Sequence, residues 1–474
     1  QGHARAQHNL GNMYREGRGV AKDIQQAVKW HQKAADQGYP PAQFQIGHMY
    51  RTGDGTQQNY KKAFEWFERA AQAGHARAQR VVGSMYKDGQ GVAKDYKKAT
   101  QWYKKAASQA NAYAQMLLGK IYEDGLGTAK DTTVAQSWYA KALKQALIDA
   151  PKGDVDAQYS LGWMYEHSRG VAQDDKQAVK WYQKAADQGH AKAQFNLGRM
   201  YANGRGVGKD DKKAVKWYQK AVAQGHAEAQ NNLGVMYDDG RGIDKNKKEA
   251  AKCYRQAAEQ GLAAAQYNLG LMYANGHGVT KDYKEAVAWH QQAADQGHAR
   301  AQHNLGNMYR EGRGVAKDIQ QAVAWYQKAA DQGLAHAQHN LGVMYESGLG
   351  VAKDDRAAVK WFEKAAAQGD ARAQSNLGCM YQYGRGVAKD YKEAVAWYQK
   401  AAEQEYANAQ FYLGVMYGNG QGVAKDDKEA EKWFQQAAAQ RNAKAQFNLG
   451  VMYDNGQGVA KDDEKAVAWY QKAA

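Results

Sequence analysis

Between His3 and Gly38 the apolar residues fall at helical spacings twice over. Ala6, Leu10, Met13 and Tyr14 stand at i, i+4, i+7 and i+8, the stripe of an amphipathic helix, here helix A. Gly17 and Gly19 break that pattern and supply residues free to take positive φ, which predicts the helix end. Asp23 then marks the start of a helix B whose buried face is expected to carry Ala27, Val28, Trp30, Ala34 and Ala35. The whole pattern recurs along the chain. Variants of Leu-Gly-x-Met-Tyr place a glycine at Gly11, Gly47, Gly83, Gly119, Gly162, Gly198, Gly234, Gly270, Gly306, Gly342, Gly378, Gly414 and Gly450. Eleven of the twelve intervals are 36 residues and one, Gly119 to Gly162, is 43. A unit this short cannot bury its own apolar face, so the copies must stack, and the product is an extended surface and not a pocketed globule. That points to binding.

Three recurring features read as structural. All thirteen copies place Asp or Asn where helix B begins, an N-cap position, and Asp282 with Glu285 or Asp390 with Glu393 has the spacing of a capping box. These acids are therefore not paired catalytic carboxylates or calcium ligands. A glycine in mid-helix A costs about 1 kcal/mol relative to Ala, and its recurrence predicts close approach of the partner helix. The amides of Gln7 and Asn9, with their equivalents Gln194 and Asn196 or Gln302 and Asn304, must be satisfied if buried, which predicts a ladder of side-chain hydrogen bonds to neighbouring loops in preference to a ligand role. The Gly-x-Gly pair follows no strand and recurs as a helix terminator, so it is not read as a phosphate loop.

Composition narrows the picture. Three prolines in 474 residues and no Ser- or Pro-rich linker favour one elongated helical domain. The net charge of +16 invites a nucleic-acid reading, but Lys22, Lys94, Lys209, Lys281, Lys353 and Lys425 recur at one loop offset, as a solvated outer face would. No apolar run is long enough to span a membrane. Cys253 and Cys379 lie three and a half repeats apart, on the order of 30 Å at helix-packing distances, too far for a disulfide. The chain opens at Gln1 in mid-repeat and stops at Ala474 inside a second helix, which reads as a window cut from a longer polypeptide with uncapped ends.

The unit Ala-x-Ala-Gln-x-Asn-Leu-Gly-x-Met-Tyr-x-x-Gly-x-Gly-Val-x-Lys-Asp, followed by Lys-Ala-x-x-Trp-Tyr-x-Lys-Ala-Ala-x-Gln-Gly, resembles the Sel-1-like repeat, a branch of the tetratricopeptide-like helical repeats. Residues 190 to 225 follow it almost letter by letter, and all thirteen copies are covered. The resemblance implies an all-α, right-handed α/α superhelical solenoid of helix-turn-helix repeats, with helix A lining the concave side. It implies a role as adaptor or scaffold, no catalytic residue set, no cofactor and no metal. Bacterial members are often exported and involved in assembly or host contact, which favours a periplasmic or extracellular setting; eukaryotic ones include adaptors of protein quality control.

The expected organisation is repeats one to four over 1–146, an insert region and turn over 147–156, and repeats five to thirteen over 157–474. The seven-residue insert extends helix B through Ile148 and Asp149 before Pro151 and Gly153 turn the chain, and the next loop departs at Ser168. It is read either as an inert surface loop or as a local docking site. With Leu10, Met13 and Tyr14 packing inward, the other side of helix A should face a partner. In the first three copies this stripe is basic, with Arg5, His8, Arg15, His48, Arg51, Arg77, Arg80 and Lys87. Later copies present an apolar stripe of Phe195, Val235, Tyr267, Leu271, Val343, Phe411, Val415, Phe447 and Val451, read as a contact surface or, alternatively, as packing against the next helix A. The favoured partner is a protein or extended peptide, with acidic groups at the basic end. Residues 1–28 are identical to 296–323, which reflects a duplication or suits a periodic partner, and the uncapped ends admit head-to-tail self-association. No constellation breaks the repeat as an enzyme's would. Histidines His3, His75, His190, His226 and His298 stand at the entrance of helix A, a turn or cap position, and His336 with His339 lacks a third metal ligand.

Overall fold

The computed structural model describes residues 2–474, and among them the chain is entirely helical, without strands. Twenty-six α-helices, α1 (Ala4–Glu16) to α26 (Asp463–Ala473), alternate as helix A and helix B of a thirteen-repeat solenoid. Contacts divide the chain into two compact units, Gln1–Ala257 and Ala258–Ala474.

Local chemistry sets each boundary. Helix A closes on a left-handed residue whose N–H returns to the carbonyl four residues back, as Gly204 does at φ 69° to Met200 and Gly125 to Ile121. Ser168, the one departure, adopts the same conformation at φ 55°. The second glycine of the loop has a separate cause: a side chain on Gly206 would collide with the Asp175 carbonyl at the start of the preceding helix B. All thirteen Asp or Asn caps accept backbone N–H groups of helix B. The capping boxes expected at Asp282 and Asp390 are only half made. Each cap accepts from its glutamate's N–H, but its own N–H is already donated to a helix-A tyrosine carbonyl, Tyr273 or Tyr381, at 3.0 Å.

The core corrects one expectation. Ala193, Leu197 and Met200 of helix A are buried, whereas in the first copy, which no repeat precedes among the described residues, Ala6 and Met13 of the expected stripe are exposed and Leu10 and Tyr14 half-buried; the ring over the central glycine is the residue after the tryptophan. A Cβ on Gly198 would lie 2.7 Å from Tyr218 Cε1, and Tyr182, Tyr326, Phe362 and His290 cover their own glycines in the same way. The tryptophans stand one position round helix B and are mostly half-buried, though Trp325 and Trp433 are more enclosed. A cation one turn on covers the outer ring face, with Lys220 Nζ 4.0 Å from the Trp217 centroid and Lys364 Nζ 4.0 Å from that of Trp361.

The glutamine ladder is present. The Gln194 amide donates to the Ala186 carbonyl at the end of the preceding helix B, at 3.1 Å, and its oxygen accepts from Gln224 of its own repeat at 2.8 Å. Gln266, Gln302, Gln338, Gln374 and Gln410 repeat both bonds in the second unit. Two breaks have visible causes. Gln43 Oε1 is buried without a partner because Ala73 stands where the loop glutamine belongs. Gln115 Oε1 is orphaned because helix B runs on and turns Gln145 toward Asp149. That longer helix, α8 (Thr132–Asp149), is 18 residues, ends in a 3-10 turn at Ala150–Lys152 and reverses at Gly153 with φ 95°.

Candidate functional site

Helix A carries a row of residues that vary from copy to copy, and the structure separates those already engaged from those left over. In the first unit Arg77 and Arg80, on α5 (Ala76–Asp88), reach past α7 (Ala112–Asp124) to α9 (Val155–His167), the helix delivered by the insert. Arg77 meets Asp154 at 3.2 Å and Asp156 at 3.6 Å, and Arg80 meets Asp156 at 3.3 Å. The Arg80 guanidinium lies over the Tyr113 ring at 4.5 Å, with His190 3.8 Å from Asp156 on the other side. Burial works against ionising Asp156, but Arg80, His190 and Arg77 outweigh it and hold the carboxyl below its ordinary range. The insert therefore anchors an ion-pair clamp between repeats three and five, a reading the sequence did not yield. Its one signal was an acid at the offset where Arg5 and Arg77 are basic.

The remaining basic residues differ in commitment. Arg5 is exposed. His8 is half-buried, 5.0 Å from the His31 ring and within 3.2 Å of Asn12. Arg15 pairs with Glu16 at 3.3 Å and Lys87 with Asp88 at 2.8 Å. His48 and Arg51, one turn apart on α3 (Pro40–Thr52), are half-buried.

Of the apolar stripe, Phe447 is 53 % exposed. Phe195, Val235, Tyr267, Leu271, Val343, Phe411, Val415 and Val451 are half-buried. Their inner faces pack: Phe195 stacks on His226 at 4.9 Å, and Tyr267 stacks on His298 at 4.8 Å. Packing against the following repeat thus accounts for part of the stripe. Phe411 and Phe447, with Lys444 and Asn448, line an open cleft of about 590 Å³.

The entrance histidines are caps. Nδ1 of His75, His190, His226 and His298 accepts a helix-A N–H at 3.2 to 3.3 Å, which requires an unprotonated nitrogen there. Burial pushes His190 down to about 3 and His226 to about 4. His336 pairs instead with Asp370 at 2.9 Å, beside Arg372. Among the described residues no group of three or more His, Cys, Asp or Glu is placed to hold a metal. No helix among them is long and apolar enough to cross a membrane.

Comparison with known proteins agrees with this architecture. The Sel1 repeat family model matches over residues 4–39, 40–75, 76–111, 112–147, 155–190, 191–226, 227–262, 263–298, 299–334, 335–370, 371–406, 407–442 and 443–474. No curated protein matches the chain. Among solved structures it is similar to c5321, a protective antigen present in uropathogenic Escherichia coli strains and displaying an SLR fold. The two share 36 % identity over 94 % of each chain, with a TM-score of 0.61. A Sel1 repeat protein from Oxalobacter formigenes is 35 % identical over 64 % of this chain and 88 % of its own, with a TM-score of 0.50. Thirteen matched copies, each built on a ring-covered glycine and a capped second helix, make this chain a member of the Sel1 repeat family.

Proposed function

We propose that the chain is a non-catalytic scaffold that binds a polypeptide along its helix-A faces. Repeats of this kind generally mediate protein–protein interaction. One observation carries the reading to this chain. The recurring caps and most of the ladder amides are consumed inside the repeats, whereas helix A keeps a row of copy-specific side chains, Phe195, Val235, Phe411 and Phe447 among them, that are only partly covered. A surface of that kind recognises extended segments, because each helix adds a few side chains to one long row.

The apolar part of the row supplies the test. Replacing Phe411, Val415, Phe447 and Val451 together by Ser should abolish capture of a bound polypeptide in a pull-down, with the far-ultraviolet helix signal intact. Capture at the unaltered level by the folded variant removes this row from the binding face. Light scattering that rises with concentration in the native chain, and falls in the variant, would identify the bound polypeptide as a second copy.

A further inference from the structure

We infer that the helix-A face of the second repeat carries a carboxylate-binding subsite centred on the Arg51 guanidinium, which receives an acidic group of the bound polypeptide. The inference rests on the scaffold reading and adds to it the chemistry of the partner.

Arg77 and Arg80 are neutralised by Asp154 and Asp156, Lys87 by Asp88, and Arg15 in part by Glu16, which also pairs with Arg18. Arg51 has no ion pair and no side-chain hydrogen bond among the described residues. Its guanidinium lies 5.7 Å from the Phe67 ring, with its charge removed from water on that side. Burial and then Arg80 lower its pKa to about 10, whereas Arg80 itself is raised because Asp156 faces it. Neighbouring helices thus hold two half-buried guanidinium groups, one with its carboxylate and one without.

The surroundings select the missing ion. His48, three residues before Arg51, is pushed down to about 3 by burial, then by Arg51 and Arg15, so at neutral pH it is an uncharged ring that adds no charge to the patch. Asp156 and Glu16 flank the patch through Arg80 and Arg15. Arg51 is thus the uncompensated guanidinium at the centre, which a single carboxylate neutralises, and the flanking carboxylates repel further negative charge. The planar guanidinium offers two parallel N–H donors matched to a carboxylate. Arg5 on α1 is exposed and extends the positive row, as an acidic polypeptide requires and a small anion does not.

Fluorescence anisotropy with the full chain and three labelled octapeptides tests this. One is Glu-rich and C-terminally amidated, one Gln-rich with a free C-terminus, and one Gln-rich and amidated. A peptide carrying a carboxylate should bind while the third does not, and the first two show whether a side chain or a chain terminus is taken. Arg51→Gln should weaken that binding about 10- to 100-fold, while Lys216→Gln, the same charge removed from an exposed helix-B position, leaves it unchanged. Because Arg51→Gln removes an unpaired charge, its melting temperature should equal or exceed the native one. Should it melt early, Arg51→Lys carries the same test, since it keeps the charge and loses the fork, and weaker binding is again expected. Equal binding of all three peptides, undiminished binding by the folded variants, or tighter Arg51-dependent binding of single-stranded DNA overturns the subsite. Such a result, with pull-down still lost in the Phe411/Val415/Phe447/Val451 variant, rejects the carboxylate chemistry and leaves the scaffold reading standing.

Discussion

Gly198 shows how one atom governs a repeat. Alanine at an ordinary helix position would gain about 1 kcal/mol in propensity, but here the added Cβ meets the Tyr218 ring at 2.7 Å and the Ala214 carbonyl at 3.2 Å. Tyr218 is itself buried and cannot retreat. Overpacking costs about 1 to 3 kcal/mol, so Gly198→Ala should be net destabilising in urea unfolding, and Tyr218→Ala in the same chain should cancel much of that penalty. The converse holds at Ala73. Ala73→Gln would give the orphaned Gln43 oxygen its donor and should stabilise by about 1 kcal/mol; a lowered urea midpoint would contradict this. The glycine and glutamine positions were legible because their recurrence is costly unless packing or hydrogen bonding uses it. The choice between Trp217 and Tyr218 as the covering ring was not, because adjacent aromatics on a helix give no periodic signal for which one turns inward.

At the scale of elements, the junction of α5, α7 and α9 is the least regular part of the first unit. Removing one partner of an enclosed ion pair leaves the other uncompensated, so Asp156→Asn should destabilise by about 3 to 5 kcal/mol. Arg80→Met with Asp156→Leu should recover most of it, a comparison thermal melts can make. The folded Asp156 pKa is depressed, so its stabilisation is present above the unfolded value and fades as pH falls through the folded one. Both helices of each repeat, their caps and the extension of α8 could be read from apolar spacing and turn residues. The clamp could not, because Arg77 and Arg80 meet residues 76 or more positions away, a distance fixed by how the insert delivers α9.

Across the whole molecule the histidines act together. His31, His48 and His190 are pushed down to about 3, and His226, His290 and His303 to about 4, burial being the first cause in each case. An unfolded histidine titrates near 6.5, so between that value and the folded ones the unfolded chain binds more protons. Stability should be complete above about pH 6.5 and decline as pH falls toward 4, before most carboxylates protonate. Circular-dichroism melts from pH 7.5 to 4 should show this, and His226→Asn, which keeps a capping oxygen without a titrating ring, should reduce the slope. A flat melting temperature across that range would refute it.

The glutamine ladder responds to none of these variables. Amide groups neither gain protons nor attract counter-ions, so acid that strips the imidazole caps and salt that weakens the Arg–Asp clamp both leave the Gln194–Gln224 type of link intact. Damage by acid should therefore fall on the histidine caps and damage by salt on the one clamp between repeats three and five, while the Gln194-to-Ala186 type of bond keeps consecutive repeats fastened like planks on a rope whose knots are indifferent to the weather.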